Sequence, residues 1–249
     1  MSALRFALAA VLLASSAILT AKAGAQDLMF ERFIRQCNDA DHGTPPQQAI
    51  YACTQMIRSN LAIGHPLAVL YNSRALHHLD LHEDDEALSD FTRAIFYSPR
   101  YAQAYVNRAL LEMVRHHFPE AVADYGVVVS IIPNNQIGYS ARCWARALWG
   151  QELEQARADC EAALRISPHR VGALEGMGLI DLREQRFSEA HAVYDEAVAA
   201  NPANARVRYG RGIAALRLGR LAEGRGDLAA AAEIDNRVAE TFEGYGVTP

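Results

Sequence analysis

A 34-residue repeat limits the fold of this chain more than any other feature. Pro99, Pro133, Pro168 and Pro202 stand 34, 35 and 34 residues apart. Ala87, Ala121, Ala156 and Ala190 keep the same steps, as do Phe91, Tyr125, Cys160 and Tyr194. Earlier in each unit, Tyr71, Tyr105 and Tyr139 recur, followed three residues later by Arg74, Arg108 and Arg142. The single extra residue falls in QELEQ, residues 151–155, between the two halves of its unit, where a loop tolerates it. Each unit carries two apolar stripes at helical spacing. Tyr71, Arg74, Ala75 and His78 share one face, and Ala87, Asp90, Phe91 and Ala94 share another. Proline closes the second helix. Two helices of this length cannot cover their own apolar faces, so neighbouring units must stack.

An arginine in the middle of an apolar helix needs an explanation, and the spacing supplies one. Arg74 is followed by Asp90 sixteen residues later, Arg108 by Asp124 and Arg211 by Asp227 at the same distance, and Arg142 by Asp159 across the insertion. Where the arginine place holds Met177 the aspartate place holds Val193, and in the N-terminal unit the two places hold Gln36 and Ala52. The charges are present together or absent together. A half-buried guanidinium without a carboxylate costs several kcal/mol. The pattern therefore predicts an Arg–Asp bridge between the two helices of each such unit. The rival reading is a ligand-binding arginine.

The phased motifs resemble those of the tetratricopeptide repeat family. The resemblance rests on the small residues Ala75, Ala109, Cys143, Gly178 and Gly212, the turn glycines Gly150 and Gly219, the alanine and aromatic rows, and the closing prolines. It implies an all-α fold, a right-handed solenoid of antiparallel helix hairpins. The expected units are a divergent hairpin over 26–67, repeats over 68–101, 102–135, 136–170 and 171–204, a degenerate repeat over 205–236, and a cap or tail over 237–249. In the last repeat Gly224 replaces the alanine and Asn236 the proline, so its second helix is expected either to fray or to be capped by residues 237–246.

The four cysteines follow the same register. Cys37 and Cys53 lie sixteen apart, and Cys143 and Cys160 lie seventeen apart across the insertion. Each pair takes the small-residue place on one helix and the aromatic place on the next, which face each other in a hairpin. Two disulfides are expected, with buried free thiols as the alternative. A zinc site fits less well, since neither pair is a CxxC.

No string typical of a nucleotide, metalloprotease or serine-hydrolase site occurs, and no enzyme activity or cofactor is expected. The histidines are the most suggestive set. His78 and His82 lie four apart at the end of a first helix, and His116 and His117 fall at the matching turn of the next unit. A metal-binding edge through His78, His82 and His116 is one reading, and solvated turn residues are the other.

In the resembled family the first helices line a groove that holds peptides. By phase, the inward rows are Leu76, Leu110, Trp144, Leu179 and Ile213, and Leu79, Met113, Ala147, Leu182 and Leu216. These residues either pack between first helices or offer apolar seats to a partner, with Trp144 as a central anchor. Arg183, Arg206 and Arg217 point to the same side as Tyr209, and three guanidinium groups suit a carboxylate. An alternative is that the groove is filled by the chain's own tail, FEGYGVTP, with Glu243 meeting these arginines, or by another copy in a homo-oligomer.

The N-terminal 25 residues read as a signal peptide: a short cationic start, an apolar core from Phe6 to Thr20, and small residues AKAGA. A core of about fifteen residues is short for a membrane span, which is the competing reading. Export to the periplasm or the exterior, without a stable span after cleavage, is therefore expected, in a compartment where cysteines pair. A net charge of −5 argues against nucleic acid, leaving a protein or peptide partner.

Overall fold

The structure, a computed structural model, describes residues 29–38 and 43–249. The signal peptide expected over residues 1–25 lies outside them. Among the described residues there are helices and no strands. The chain divides into two compact units, one ending at Ala104 and one running Tyr105–Pro249.

The first unit contains α1 (residues 29–37), α2 (Pro46–Arg58), α3 (His65–Asp80) and α4 (Asp84–Tyr97). The second contains nearly all of α5 (Ala102–Val114), then α6 (Phe118–Ile131), α7 (Gln136–Trp149), α8 (Leu153–Ile166), α9 (Val171–Arg183), α10 (Phe187–Ala200), α11 (Ala205–Arg217), α12 (Leu221–Ile234) and α13 (Val238–Gly244). Within each unit, helices consecutive in sequence pack as antiparallel neighbours. First helices also touch each other, α7 against α9 and α9 against α11.

Local chemistry starts and stops these helices. Proline occupies the first turn of α2, α3 and α6, where its missing N–H costs nothing. Asn135 caps α7, accepting from the N–H groups of Ile137 and Gly138 at 2.9 and 3.2 Å. Asn204 caps α11 in the same way, through Arg206 and Val207. First helices end at residues in the left-handed region: His82, His116, Gly150, Gln185 and Gly219, in register with the repeat. The next N–H then returns to the last turn, from Glu83 to the His78 carbonyl, His117 to Glu112, Arg186 to Asp181 and Arg220 to Ala215. His82 and His116 are thus the residues on which the hairpins turn.

The hairpins close on the rows of small and aromatic residues. Phe91, Tyr125 and Tyr194 are buried, as are Ala87, Ala121 and Ala190 one turn earlier on the same helices. Tyr194 shows why glycine stands in two facing helices. A Cβ on Gly178 would lie 2.6 Å from its ring, and one on Gly210 would lie 2.3 Å away. Gly224 departs from the alanine row for a similar reason, since a Cβ there would meet Leu216 Cγ at 2.6 Å and the Gly212 carbonyl at 2.8 Å. Despite that departure α12 is a full helix of 14 residues, and α13 packs against it and α11.

In the two hairpins that carry cysteines, sulfur replaces this packing. Cys37 is bonded to Cys53 and Cys143 to Cys160, with Cα atoms 4.7 and 5.3 Å apart. All four residues are fully buried.

Three expectations follow for stability. Gly210→Ala forces a methyl into the Tyr194 ring and should cost about 1–3 kcal/mol in urea unfolding. Gly226→Ala, within α12 and with nothing within 4 Å of the new Cβ, should instead stabilise by about 0.5–1 kcal/mol. Reducing the disulfides should lower unfolding free energy by about 3 kcal/mol for each, read from the same titration with and without dithiothreitol.

Candidate functional site

The arginine–aspartate pairs are bidentate. Arg74 Nε and Nη2 donate to the two carboxylate oxygens of Asp90 at 2.6 and 2.7 Å. Arg108 meets Asp124 at 2.8 and 2.7 Å, Arg142 meets Asp159 at 2.8 and 2.5 Å, and Arg211 meets Asp227 at 2.7 and 2.8 Å. The aspartates are buried, and hydrogen bonding to them raises the arginine pKa values at Arg108, Arg142 and Arg211. Each guanidinium also reaches beyond its hairpin or stacks on a ring. Arg74 donates to Thr54 at 2.9 Å and Arg211 to Asp195 at 2.6 Å. Arg108 and Arg142 lie over the rings of Tyr105 and Tyr139. Two donors of each guanidinium are thus engaged inside its hairpin.

A second row of polar side-chain pairs was missed in the sequence. His78 Nδ1 lies 2.6 Å from Glu83 Oε2, His117 Nδ1 lies 2.8 Å from Glu112, Arg146 Nε donates to Glu152 at 2.8 Å, and Arg186 Nε donates to Asp181 at 3.0 Å. All four pairs join the last turn of a first helix to the turn that follows, where the backbone already closes on itself. The signs alternate: His–Glu, Glu–His, Arg–Glu, Asp–Arg. A search for one residue type at one place could not find this row, whereas a search for opposite charges five or six apart could. His78 and His117 are accounted for here, and among the described residues no group of three or more His, Cys, Asp or Glu side chains gathers as a metal site.

The repeat that lacks the arginine–aspartate pair has a substitute. Arg157 on α8 donates to Asp181 on α9 at 2.6 Å and to Glu184 at 2.9 Å, and touches Met177 Sδ, which fills the vacant arginine place. Burial pushes the Asp181 carboxyl up from 3.8 to about 6, against the pull of Arg157. A carboxyl that holds its proton more tightly when folded contributes most stability below its unfolded pKa and loses it as pH rises through the folded value. The stability of the parent relative to an Asp181→Asn variant should therefore fall by about 2 kcal/mol between pH 4 and 7. A difference that stays level across that range would contradict this assignment.

The face lined by α7, α9 and α11 is occupied by the chain itself. Phe242 is buried on Tyr209, ring centroids 5.0 Å apart, and Tyr245 stands edge-on to Trp144 at 5.7 Å. Val238 and Val247 are buried beside them. Arg183 Nη2 donates to the Tyr245 carbonyl at 2.7 Å and to the Leu148 carbonyl at 3.2 Å. Arg217 Nη2 donates to the Thr248 carbonyl at 3.1 Å, with its guanidinium over Phe187. Burial lowers the Arg183 pKa, and two helix C-termini supply the partial negative charge it needs.

Several sequence expectations change accordingly. The arginines meet main-chain carbonyls, while Glu243 is exposed. Arg206 is not free for a carboxylate ligand, because it is paired with buried Glu175 and lies 5.7 Å over Trp144. Leu179 is 1% exposed and belongs to the core, and Tyr209 is covered by Phe242. Met113 packs against Ala109, Ala121 and Tyr125. Leu76 and Leu110 differ: they are 41% and 54% exposed, each on the outward side of its helix.

Comparison with known proteins adds the family context. Residues 176–239 match the tetratricopeptide repeat family model. The chain is similar to a tetratricopeptide repeat protein from Parabacteroides merdae, with a TM-score of 0.71 and 17% identity over 87% of this chain and 88% of that one. It is also similar to YrrB, a TPR protein with an unusual peptide-binding site, with a TM-score of 0.56 and 18% identity over 77% of this chain and 97% of that one. These two likenesses carry the fold alone. Mitochondrial import receptor subunit TOM70 of Homo sapiens is 26% identical over 164 residues, 63% of this chain and 27% of that protein. The chain spans about a quarter or less of the length of the first curated relatives it matches.

Proposed function

We propose that this chain, a tetratricopeptide repeat protein, is an exported, non-catalytic scaffold that binds a protein or peptide partner on the faces of its first helices. The observation that carries the reading is the seat of the tail. The face of α7, α9 and α11 accommodates a stretch of polypeptide through aromatic contacts and arginine-held carbonyls. The exposed leucines Leu76 and Leu110 offer apolar seats at the matching phase of α3 and α5. A protein-import receptor among the relatives and a peptide-binding neighbour among the solved structures support a polypeptide ligand.

Export is supported by the reading of residues 1–25 and by the two disulfides, which persist in oxidising compartments. No described helix is long and apolar enough to cross a membrane. A second reading is favoured by the tail itself: a face filled by the chain's own C-terminus leaves the protein a structural subunit.

Photo-crosslinking decides between them. A photoreactive residue placed at 76 or 110 should trap a discrete partner in the exporting cell, whereas one at exposed position 161 on α8 should not. Leu110→Asp should reduce binding of a partner trapped from position 110 at least tenfold. Equal trapping from all three positions would move the binding site off the first helices. Mass spectrometry of the exported protein should place its N-terminus at residue 24 or 26.

A further inference from the structure

We propose that residues 238–248 are a built-in ligand, and that the partner is a segment of the same chemistry which displaces them from α7, α9 and α11. This rests on the scaffold reading and narrows it to a class of partner. The tail is held unlike the helices before it. α13 has seven residues, below the length at which a helix persists alone. Among the described residues, no side chain from 238 to 248 makes an ion pair with the rest of the chain. Its attachment is two aromatic contacts, buried valines, and two carbonyls offered to Arg183 and Arg217.

That mode of attachment defines what else would fit. Phe242 and Tyr245 stand three residues apart on one side of a helical turn and take Tyr209 and Trp144. Gly246 adopts φ +71° and ends the turn, and the Val247 N–H returns to the Phe242 carbonyl at 3.0 Å. This brings Val247 back onto the face. The pattern is aromatic, two residues, aromatic, glycine, then apolar. Its anchoring groups are uncharged, and Glu243 between the two rings is exposed. Glu175 already neutralises Arg206, and Arg183 and Arg217 take carbonyls, which every peptide carries. Selection therefore comes from the spacing of the two rings rather than from charge. A tethered tail competes at an effective concentration of roughly millimolar, so a partner must bind the bare face well to displace it.

The probe is a fluorescent peptide of residues 238–249, VAETFEGYGVTP, added in trans. The acceptor is the full chain with Tyr245→Ala and Val247→Ala, which loosens its own tail. The peptide should bind this acceptor at least tenfold more tightly than the parent chain. Tyr→Ala within the peptide, or Arg183→Ala within the acceptor, should each reverse the gain. A chain ending at Gly244 is a second acceptor should the first misfold, with circular dichroism reporting the fold of both. Equal binding to parent and loosened chains, or none up to millimolar peptide by a folded acceptor, overturns the inference. So does a parent dimer that becomes monomeric on truncation, since the occupant would then be the tail of a second copy. Failure here with the crosslinks from positions 76 and 110 intact sinks this inference alone. Loss of those crosslinks sinks the scaffold reading instead.

Discussion

Close approach of two helices at a small residue facing a large one is the contact on which this fold depends. Ala, Cys or Gly on the first helix leaves room for Phe, Tyr or a second Cys on its partner, and the interior fills without voids. Tyr194 shows the limit of that closeness, since its ring lies where a methyl on either Gly178 or Gly210 would sit. The disulfides replace the same contact with a covalent one. The arginine–aspartate pair lies beside it, where a half-buried charge is tolerated only because its partner is one helix away.

The same contact explains how much could be read from the chain. Steric rules repeat in every unit, so the small residues, the rings, the closing prolines and the paired charges recur at fixed spacing. The turn charges are less legible because electrostatics is indifferent to which partner bears which sign. Histidine opposite Glu83 and arginine opposite Glu152 do the same job, and alignment by residue type hides them. Arg157 with Asp181 is harder still, because it joins neighbouring repeats at a place where the regular pair is lost.

The face of the first helices was legible as a row but not as a surface. Phase alone puts Leu76, Leu110, Trp144 and Leu179 in one line. Whether each is open depends on what lies above it. Leu179 is sealed into the core and Trp144 is met by Tyr245, while Leu76 and Leu110 stay exposed. The tail carries no repeat signal, so its place on that face follows from tertiary contacts alone. Three arginines on one side looked like a site for acid, yet Arg206 is taken by Glu175 and Arg183 and Arg217 by carbonyls of the chain. A guanidinium can be satisfied by backbone carbonyls where no carboxylate is in reach.

A stretch of polypeptide lying across α7, α9 and α11 is the centre of this account, because the proposed peptide-binding role of that face rests on it. The most direct measurement is the nuclear Overhauser spectrum of the folded, oxidised chain. Cross-peaks between the Trp144 indole and the Tyr245 ring, and between Tyr209 and Phe242, are expected. A Tyr245 ring with the narrow lines and shifts of a free tyrosine, and no cross-peak to Trp144, would contradict it.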